Sequence, residues 1–192
     1  MHVARPTSQD GTIRSQGRYT ARVSLFEPIF DALNRTGVRY VVVGGLATVL
    51  HGFARLTADV DLIVDLSPTE AAKAVDALVR LGLRPRAPVD PLGFADPLVR
   101  RRWIDEKQMQ VFALVDPANP MRSVDLFVET PIPFDDLWAR AEIISLTGVE
   151  IRIAAIPDLI RMKRLAGRPQ DVIDIEALED IMRRKAGHAG RE

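Results

Sequence analysis

The sequence lacks cysteine, shows no excess of either charge, and contains no long apolar run. Without cysteine among its 192 residues, disulfides, thiolate metal sites and a cysteine nucleophile are excluded, and a reducing cytoplasm is the expected location. Lys and Arg number 26 and Asp and Glu number 26, so no global positive field indicates nucleic-acid binding, although a local patch would suffice. No stretch approaches the roughly 18 apolar residues of a membrane helix, and we expect no membrane association.

The length and composition favour one domain with a sizeable core. Hydrophobic residues make up 47% of the chain, which is ordinary for a globular fold. Residues 1–22 are polar and rich in arginine, and we expect a flexible tail there. The domain is expected over residues 23–186, with C-terminal helices over about 156–184 and a short tail over 187–192.

Apolar periodicity and the placement of glycine and proline predict the order of helices and strands. The predicted elements are a helix over 24–37, a strand over 39–43, a short helix over 46–51, a strand over 59–65, a helix begun by a capping box at Ser67, a loop over 84–97, a short helix over 98–106, strands over 109–115 and 123–128, a helix over 134–141, a hairpin over 142–153, and helices over 156–166 and 169–184. This order predicts an α/β (α+β) domain with a mixed sheet flanked by helices.

Two adjacent glycines, Gly44 and Gly45, separate a predicted buried strand from a short helix. Glycine lets the backbone approach a phosphate closely, and the N-terminus of a helix favours an anion. Strand–Gly–Gly–helix turns are also common in purely structural roles, so this pattern alone leaves both interpretations open.

The next predicted strand begins with Asp59 and Asp61. Side chains two positions apart on a strand point to the same face, about 7 Å apart along the backbone. Two carboxylates on one face repel each other unless a cation lies between them. The alternative is a partly exposed edge strand, but the neighbouring residues Val60 and Leu62 are apolar and predict a buried opposite face.

A third aspartate, Asp125, lies in an otherwise apolar predicted strand. A carboxylate in such a strand is costly unless it is paired or belongs to a site. If this strand lies beside that of Asp59 and Asp61, the three carboxylates form the all-oxygen ligand set that Mg²⁺ prefers. Two such ions would activate an attacking hydroxyl and stabilise a leaving pyrophosphate.

A lysine, Lys163, shares a predicted helical face with the apolar residues Leu159 and Ile160 and therefore needs an anion. Asp171 and Asp174 share one face of the following helix. The sequence leaves two compatible interpretations of Lys163: a ligand for phosphate, and a salt bridge to Asp171 or Asp174 that joins the two helices.

Together, these motifs resemble the DNA polymerase β-type nucleotidyltransferase superfamily, in which a Gly-Gly or Gly-Ser pair precedes Asp-x-Asp and a third carboxylate. Here thirteen residues separate Gly44-Gly45 from Asp59-Val60-Asp61, and Asp125 follows on a later strand. The segments over 55–62 and 163–174 further resemble the AbiEii-like nucleotidyltransferase toxins, and the resemblance covers roughly residues 38–182.

The resemblance implies a polymerase β-like fold and a magnesium-dependent enzyme that moves a nucleotide from ATP or another NTP to an acceptor hydroxyl. By this resemblance, Asp59 and Asp61 would bind two Mg²⁺ ions and the triphosphate, and Asp125 would complete the metal site and help to deprotonate the acceptor. Gly44, Gly45 and Lys163 would bind the phosphates. Asp171 would be a nearby structural or catalytic acid. Many members carry Ser where this chain has Gly45, so backbone amides would have to replace a hydroxyl. Arg55 and Thr57 would reach the phosphates, orient the Asp-x-Asp strand, or serve only the structure of their loop.

The AbiEii-like resemblance implies a toxin acting on tRNA or on a protein, with a cognate antitoxin as partner. A small-molecule acceptor such as an aminoglycoside remains the competing substrate. A non-catalytic nucleotide-binding or interaction module of the same fold is the alternative outside the enzymes.

Overall fold

The computed structural model describes residues 24–146 and 148–189. The tail predicted over residues 1–22 lies outside the described residues, as do the last three residues of the tail predicted over 187–192. Within the described ranges, no helix is sufficiently long and apolar to cross a membrane.

Seven strands form one mixed sheet in the order β3-β4-β5-β2-β1-β7-β6. The strands are β1 (Tyr40–Val42), β2 (Val60–Val64), β3 (Arg84–Pro85), β4 (Val111–Asp116), β5 (Asn119–Phe127), β6 (Glu142–Leu146) and β7 (Val149–Ile153). β2 runs parallel to β5 and β1 parallel to β7, whereas the other neighbouring pairs are antiparallel. The prediction of a mixed sheet is therefore confirmed.

Helices accompany the sheet along the whole described chain. They are α1 (Glu27–Arg35), α2 (Gly44–Leu50), α3 (Pro68–Arg80), α4 (Pro97–Lys107), α5 (Phe134–Arg140), α6 (Ile156–Ala166) and α7 (Pro169–Ala189), with short 3₁₀ turns at Ser24–Phe26 and Pro91–Ala95. In α1, the helically spaced residues Ile29, Phe30 and Leu33 are fully buried, as their periodicity predicts. The two predicted C-terminal helices are present as α6 and α7.

Local polar contacts explain where the elements differ from prediction. β5 begins at Asn119 rather than at residue 123, because the Asp116 carboxylate accepts a hydrogen bond from the Ala118 N–H (2.9 Å) and closes a tight turn. The capping box predicted at Ser67 is wrong: the Ser67 side chain caps nothing, and its N–H donates to the Asp65 carboxylate (2.9 Å). The predicted loop over 84–97 contains β3 and the second 3₁₀ turn.

The strand directions bring three parts of the chain together at one edge of the sheet. β1 and β2 are antiparallel, so the end of β1 at Val42, two residues before Gly44, lies beside the start of β2. β2 and β5 are parallel and in register, which places Asp125 beside Asp61. α6 contacts α2 and packs against α7, so the C-terminal helices stand beside the same edge.

Candidate active site

The three predicted aspartates lie on one edge of the sheet. Asp61 and Asp125 are register partners on the neighbouring parallel strands β2 and β5. Asp59 directly precedes β2, and its carboxylate accepts a hydrogen bond from the hydroxyl of Ser123 on the neighbouring strand β5. Val60 is fully buried behind the carboxylates, so the aspartates are not part of a solvated edge strand. The condition that the two strands be neighbours is met.

Burial and the repulsion of neighbouring charges disfavour ionisation of Asp61 and Asp125. The pKa of Asp61 rises to about 6, first because the group is buried and then because of the charges of Asp125 and Asp59. Burial and the charge of Asp59 likewise raise the pKa of Asp125. The guanidinium of Arg168 lowers the pKa of both Asp61 and Asp125, which places positive charge near the cluster.

The donor set of the cluster fits a hard divalent cation, although its ligands are not gathered in advance. Within residues 24–146 and 148–189, no three His, Cys, Asp or Glu side chains form a ready metal-binding group. One oxygen of Asp61 instead faces the Gly45 N–H (3.4 Å), while Asp59 is bonded to Ser123. All three side chains offer only oxygen, and their repulsion is what a bound cation would relieve.

Both glycines of the predicted phosphate turn are closely packed against neighbouring side chains. Gly44 has a φ of +61°, and a Cβ there would overlap the Asp61 carboxylate. A Cβ at Gly45 would overlap the Arg55 guanidinium and the Thr57 hydroxyl. The absence of the serine that many superfamily members carry therefore has a structural reason: Arg55 and Thr57 occupy the space that a side chain at position 45 would need.

Lys163 belongs to a buried ion network between α6 and α7. It is 6% exposed, and its Nζ lies 2.6 Å from the Asp174 carboxylate and 3.5 Å from that of Asp171. Asp174 is fully buried, also lies 3.4 Å from Arg55 Nε, and accepts a hydrogen bond from Gln170 (3.2 Å). Lys163 thus pairs with both acids, and the same network reaches the loop that leads into the Asp-x-Asp strand.

Two adjoining cavities form a cleft in front of these groups. Their volumes are about 260 and 270 Å³. Both are bounded by Arg55, Asp61, Gln110, Phe127 and Arg168. The first, here named the glycine lobe, is further bounded by Gly44, Gly45, Lys163, Asp171 and the apolar residues Leu159, Met162 and Leu165. The second, the aspartate lobe, is further bounded by Thr57, Asp59 and Asp125.

No sequence pattern predicts that Arg168, Gln110 or Phe127 borders the cleft. Arg168 follows Gly167, which ends α6 in the left-handed conformation (φ +63°) and turns the chain toward α7. That glycine signal predicts a helix end, but which neighbours the following residue meets depends on how α6 and α7 dock beside the sheet.

Comparison with known proteins places this fold and sequence among nucleotidyltransferases. The family model of DUF6036, described as nucleotidyltransferases of unknown function, matches residues 23–184. No curated protein matches the sequence.

Solved structures of nucleotidyltransferases share the architecture. The solution structure of the antibiotic-resistance factor ANT(2'')-Ia superposes with a TM-score of 0.54 at 13% identity, covering 90% of this chain and 93% of that one. Its crystal structure with adenylyl-2''-tobramycin gives 0.54 at 13% identity over 89% and 98%. An antigenic nucleotidyltransferase-like protein from Paracoccidioides brasiliensis gives 0.50 at 17% identity over 78% and 71%.

At such low identities these likenesses establish the fold, which is that of the polymerase β-like nucleotidyltransferases. The family match covers most of the chain and establishes more. The protein is a nucleotidyltransferase and belongs to the DUF6036 family.

Proposed function

We propose that the protein catalyses magnesium-dependent transfer of a nucleoside monophosphate from an NTP to an acceptor hydroxyl. The observation that carries the proposal is the register pairing of Asp61 with Asp125, beside Asp59 and across from the Gly44-Gly45 turn. The three carboxylates border one cleft and repel each other, and a divalent cation with a bound triphosphate would relieve that repulsion.

In this proposal Asp59, Asp61 and Asp125 hold two Mg²⁺ ions. The ions supply the positive charge that polarises the α-phosphate and neutralises the leaving pyrophosphate. Asp125 accepts the proton of the acceptor hydroxyl. In the metal-free protein, burial and the charge of Asp59 raise the pKa of Asp125.

The nucleotide occupies the glycine lobe. Its apolar wall, formed by Leu159, Met162 and Leu165, suits the base and ribose, while the turn at Gly44 and Gly45 lets backbone amides approach the phosphates. The cleft around the nucleotide is further lined by Arg55, Thr57, Lys163 and Asp171. Asp171 orients Lys163, whose ammonium contributes positive charge at the base of the lobe.

The Thr57 hydroxyl stands in for the serine that many superfamily members carry at position 45. It lies where a side chain on Gly45 would be, and it donates only a long hydrogen bond to the Asp59 carbonyl (3.3 Å). It is therefore available to a phosphate oxygen. Thr57→Val, which keeps the shape and removes the hydroxyl, is expected to weaken NTP binding.

The acceptor lies in the aspartate lobe next to Asp125. The segments over 55–62 and 163–174 support the AbiEii-like branch, and on that basis we propose a cytoplasmic toxin that modifies tRNA or a protein and is restrained by a cognate antitoxin. The contact of Arg55 with the buried Asp174 joins the two segments that carry the resemblance.

Transfer of label from each α-labelled NTP, with Mg²⁺, into total tRNA and into the protein itself tests the proposal. Labelled tRNA, or labelled protein, that vanishes with Asp61→Asn and Asp125→Asn but persists with the surface variant Asp105→Asn supports it. No label in either, together with no binding of any Mg–NTP, contradicts it. Binding without label would redirect the search to small-molecule acceptors or to a regulatory nucleotide-binding role.

A further inference from the structure

One arginine that borders the cleft, Arg168, has a side chain that makes no hydrogen bond or ion pair with residues 24–146 or 148–189. We propose that the Arg168 guanidinium binds the β- and γ-phosphates of the NTP and stabilises the pyrophosphate as it leaves. This assignment rests on the function proposed above and adds a leaving-group contact to it.

The other two cations of the glycine lobe are held elsewhere. Lys163 Nζ lies 2.6 Å from Asp174, and Arg55 Nε lies 3.4 Å from the same carboxylate. Asp174 is fully buried, so withdrawing either cation toward a ligand would leave a buried negative charge less well paired. Both cations contribute positive charge at the cleft while they pair with Asp174, although Arg55 Nε makes no hydrogen bond there.

Arg168 differs from Lys163 and Arg55 in its exposure and in its contacts. It is exposed, it borders both lobes of the cleft, and its side chain makes no hydrogen bond or ion pair with any described residue. Its backbone N–H donates to Asp171 (3.1 Å), which fixes the turn between α6 and α7 while leaving the guanidinium free. The side chain is thus anchored at its base and available at its end.

The position of Arg168 agrees with the charge that the reaction develops. The acceptor oxygen forms a bond to the α-phosphorus as its proton passes to Asp125. The bond from the α-phosphorus to the bridging oxygen of the β-phosphate breaks, and its electron pair leaves with pyrophosphate. A planar guanidinium donates two parallel hydrogen bonds to phosphate oxygens, and these strengthen as the leaving group gains negative charge.

Two observations favour Arg168 for this role over an exposed arginine elsewhere. It stands between the lobe assigned to the nucleotide and the lobe assigned to the acceptor, where the bond that breaks must lie. It also lies close enough to the cluster to lower the pKa of Asp61 and Asp125, so its charge reaches the reacting edge.

Calorimetry with Mg²⁺ and non-reacting α,β-methylene analogues of ATP, GTP, CTP and UTP tests the assignment. For the analogue that the wild type binds best, Arg168→Ala is expected to weaken affinity by about 10- to 100-fold, the loss typical of a charge-assisted contact. Affinity for the matching monophosphate, which lacks the β- and γ-phosphates, is expected to stay unchanged. Arg168→Lys should recover part of the loss, because lysine keeps the charge but not the planar fork.

Arg161→Ala is the matched control, because Arg161 is exposed on α6 and borders neither lobe. The Arg161→Ala protein is expected to bind every nucleotide like the wild type. Pyrophosphate should inhibit the Arg168→Ala enzyme less than it inhibits the wild type or Arg161→Ala. Unchanged analogue affinity in Arg168→Ala, or an equal loss for the monophosphate, overturns the assignment alone. Failure of the wild type to bind any of the four analogues overturns the proposed function and this assignment together.

Discussion

Asp61 and Asp125 face one another as register partners on neighbouring parallel strands, so two acidic side chains share the edge of an otherwise apolar sheet. Burial, and to a smaller extent the charge of Asp125, raise the pKa of Asp61 to about 6. An aspartate with a raised pKa is less stable ionised in the folded protein than in the unfolded chain. The candidate site therefore lowers the stability of the fold at neutral pH.

Replacing Asp61 with asparagine should stabilise the metal-free protein while abolishing transfer. At pH 7 we expect a gain of about 1 to 3 kcal/mol in the free energy of unfolding, from the raised pKa and about 1.4 kcal/mol per unit. The folded state binds the Asp61 proton more tightly, so this gain should shrink as the pH falls from about 6 to below 3.8. Urea unfolding with a chelator, at pH 7 and at pH 4, measures the gain in the free energy of unfolding and its decrease at low pH. A loss of stability at pH 7 would mean that the carboxylate supports the fold.

Metal binding should weaken as the pH falls through about 6. Protons compete with a divalent cation for Asp61, whose pKa is raised to about that value, and for Asp125, whose pKa is also raised. Calorimetric titration with Mg²⁺ or Mn²⁺ between pH 5 and 8 should show rising affinity that levels off above pH 7. Proton release, measured in buffers of different ionisation enthalpy, should accompany binding near pH 6. A flat affinity profile over this range would place the cation elsewhere.

The features of the site that could be predicted from sequence are those that depend on local periodicity. The alternation of strand side chains predicts that Asp59 and Asp61 share a face, and the apolar run around Asp125 predicts a buried strand. The sequence does not predict that β5 lies next to β2 and parallel to it, because strand order depends on the topology of the whole sheet.

Long-range docking decides the features that the sequence left open. The two roles considered for Lys163 could not be separated until α6 and α7 were placed, and the structure shows it paired with Asp171 and Asp174. The proximity of Arg168 to Asp61 cannot be predicted from the sequence, because it arises from the turn between two helices. The early start of β5 depends on the Asp116 carboxylate, which closes a short turn.

Removing the buried acid of the ion network should be strongly destabilising. Asp174→Asn leaves Lys163 and Arg55 without their shared carboxylate in a buried setting, and we expect a loss of about 3 to 5 kcal/mol in the free energy of unfolding. The matched control is Glu179→Gln, which breaks the pair with Arg164, whose side chain is 64% exposed. That change should cost less than about 1 kcal/mol. Similar losses in the two variants would show that the network contributes little to stability.

Alanine substitutions at Gly44 and Gly37 separate the effect of backbone conformation in the glycine turn from the effect of packing. Gly44 and Gly37 have similar positive φ values, +61° and +67°, so alanine at either position should cost about 1 to 2 kcal/mol of conformational strain. A Cβ at Gly37 meets nothing within 4 Å, whereas one at Gly44 overlaps the Asp61 carboxylate. Gly44→Ala should therefore lose about 1 to 3 kcal/mol more, and displacing Asp61 should lower transfer by about 100-fold or more. Gly37→Ala should keep full activity. Chemical unfolding and the labelling assay measure both effects, and equal stability losses with retained activity in Gly44→Ala would show that Asp61 moves aside without consequence.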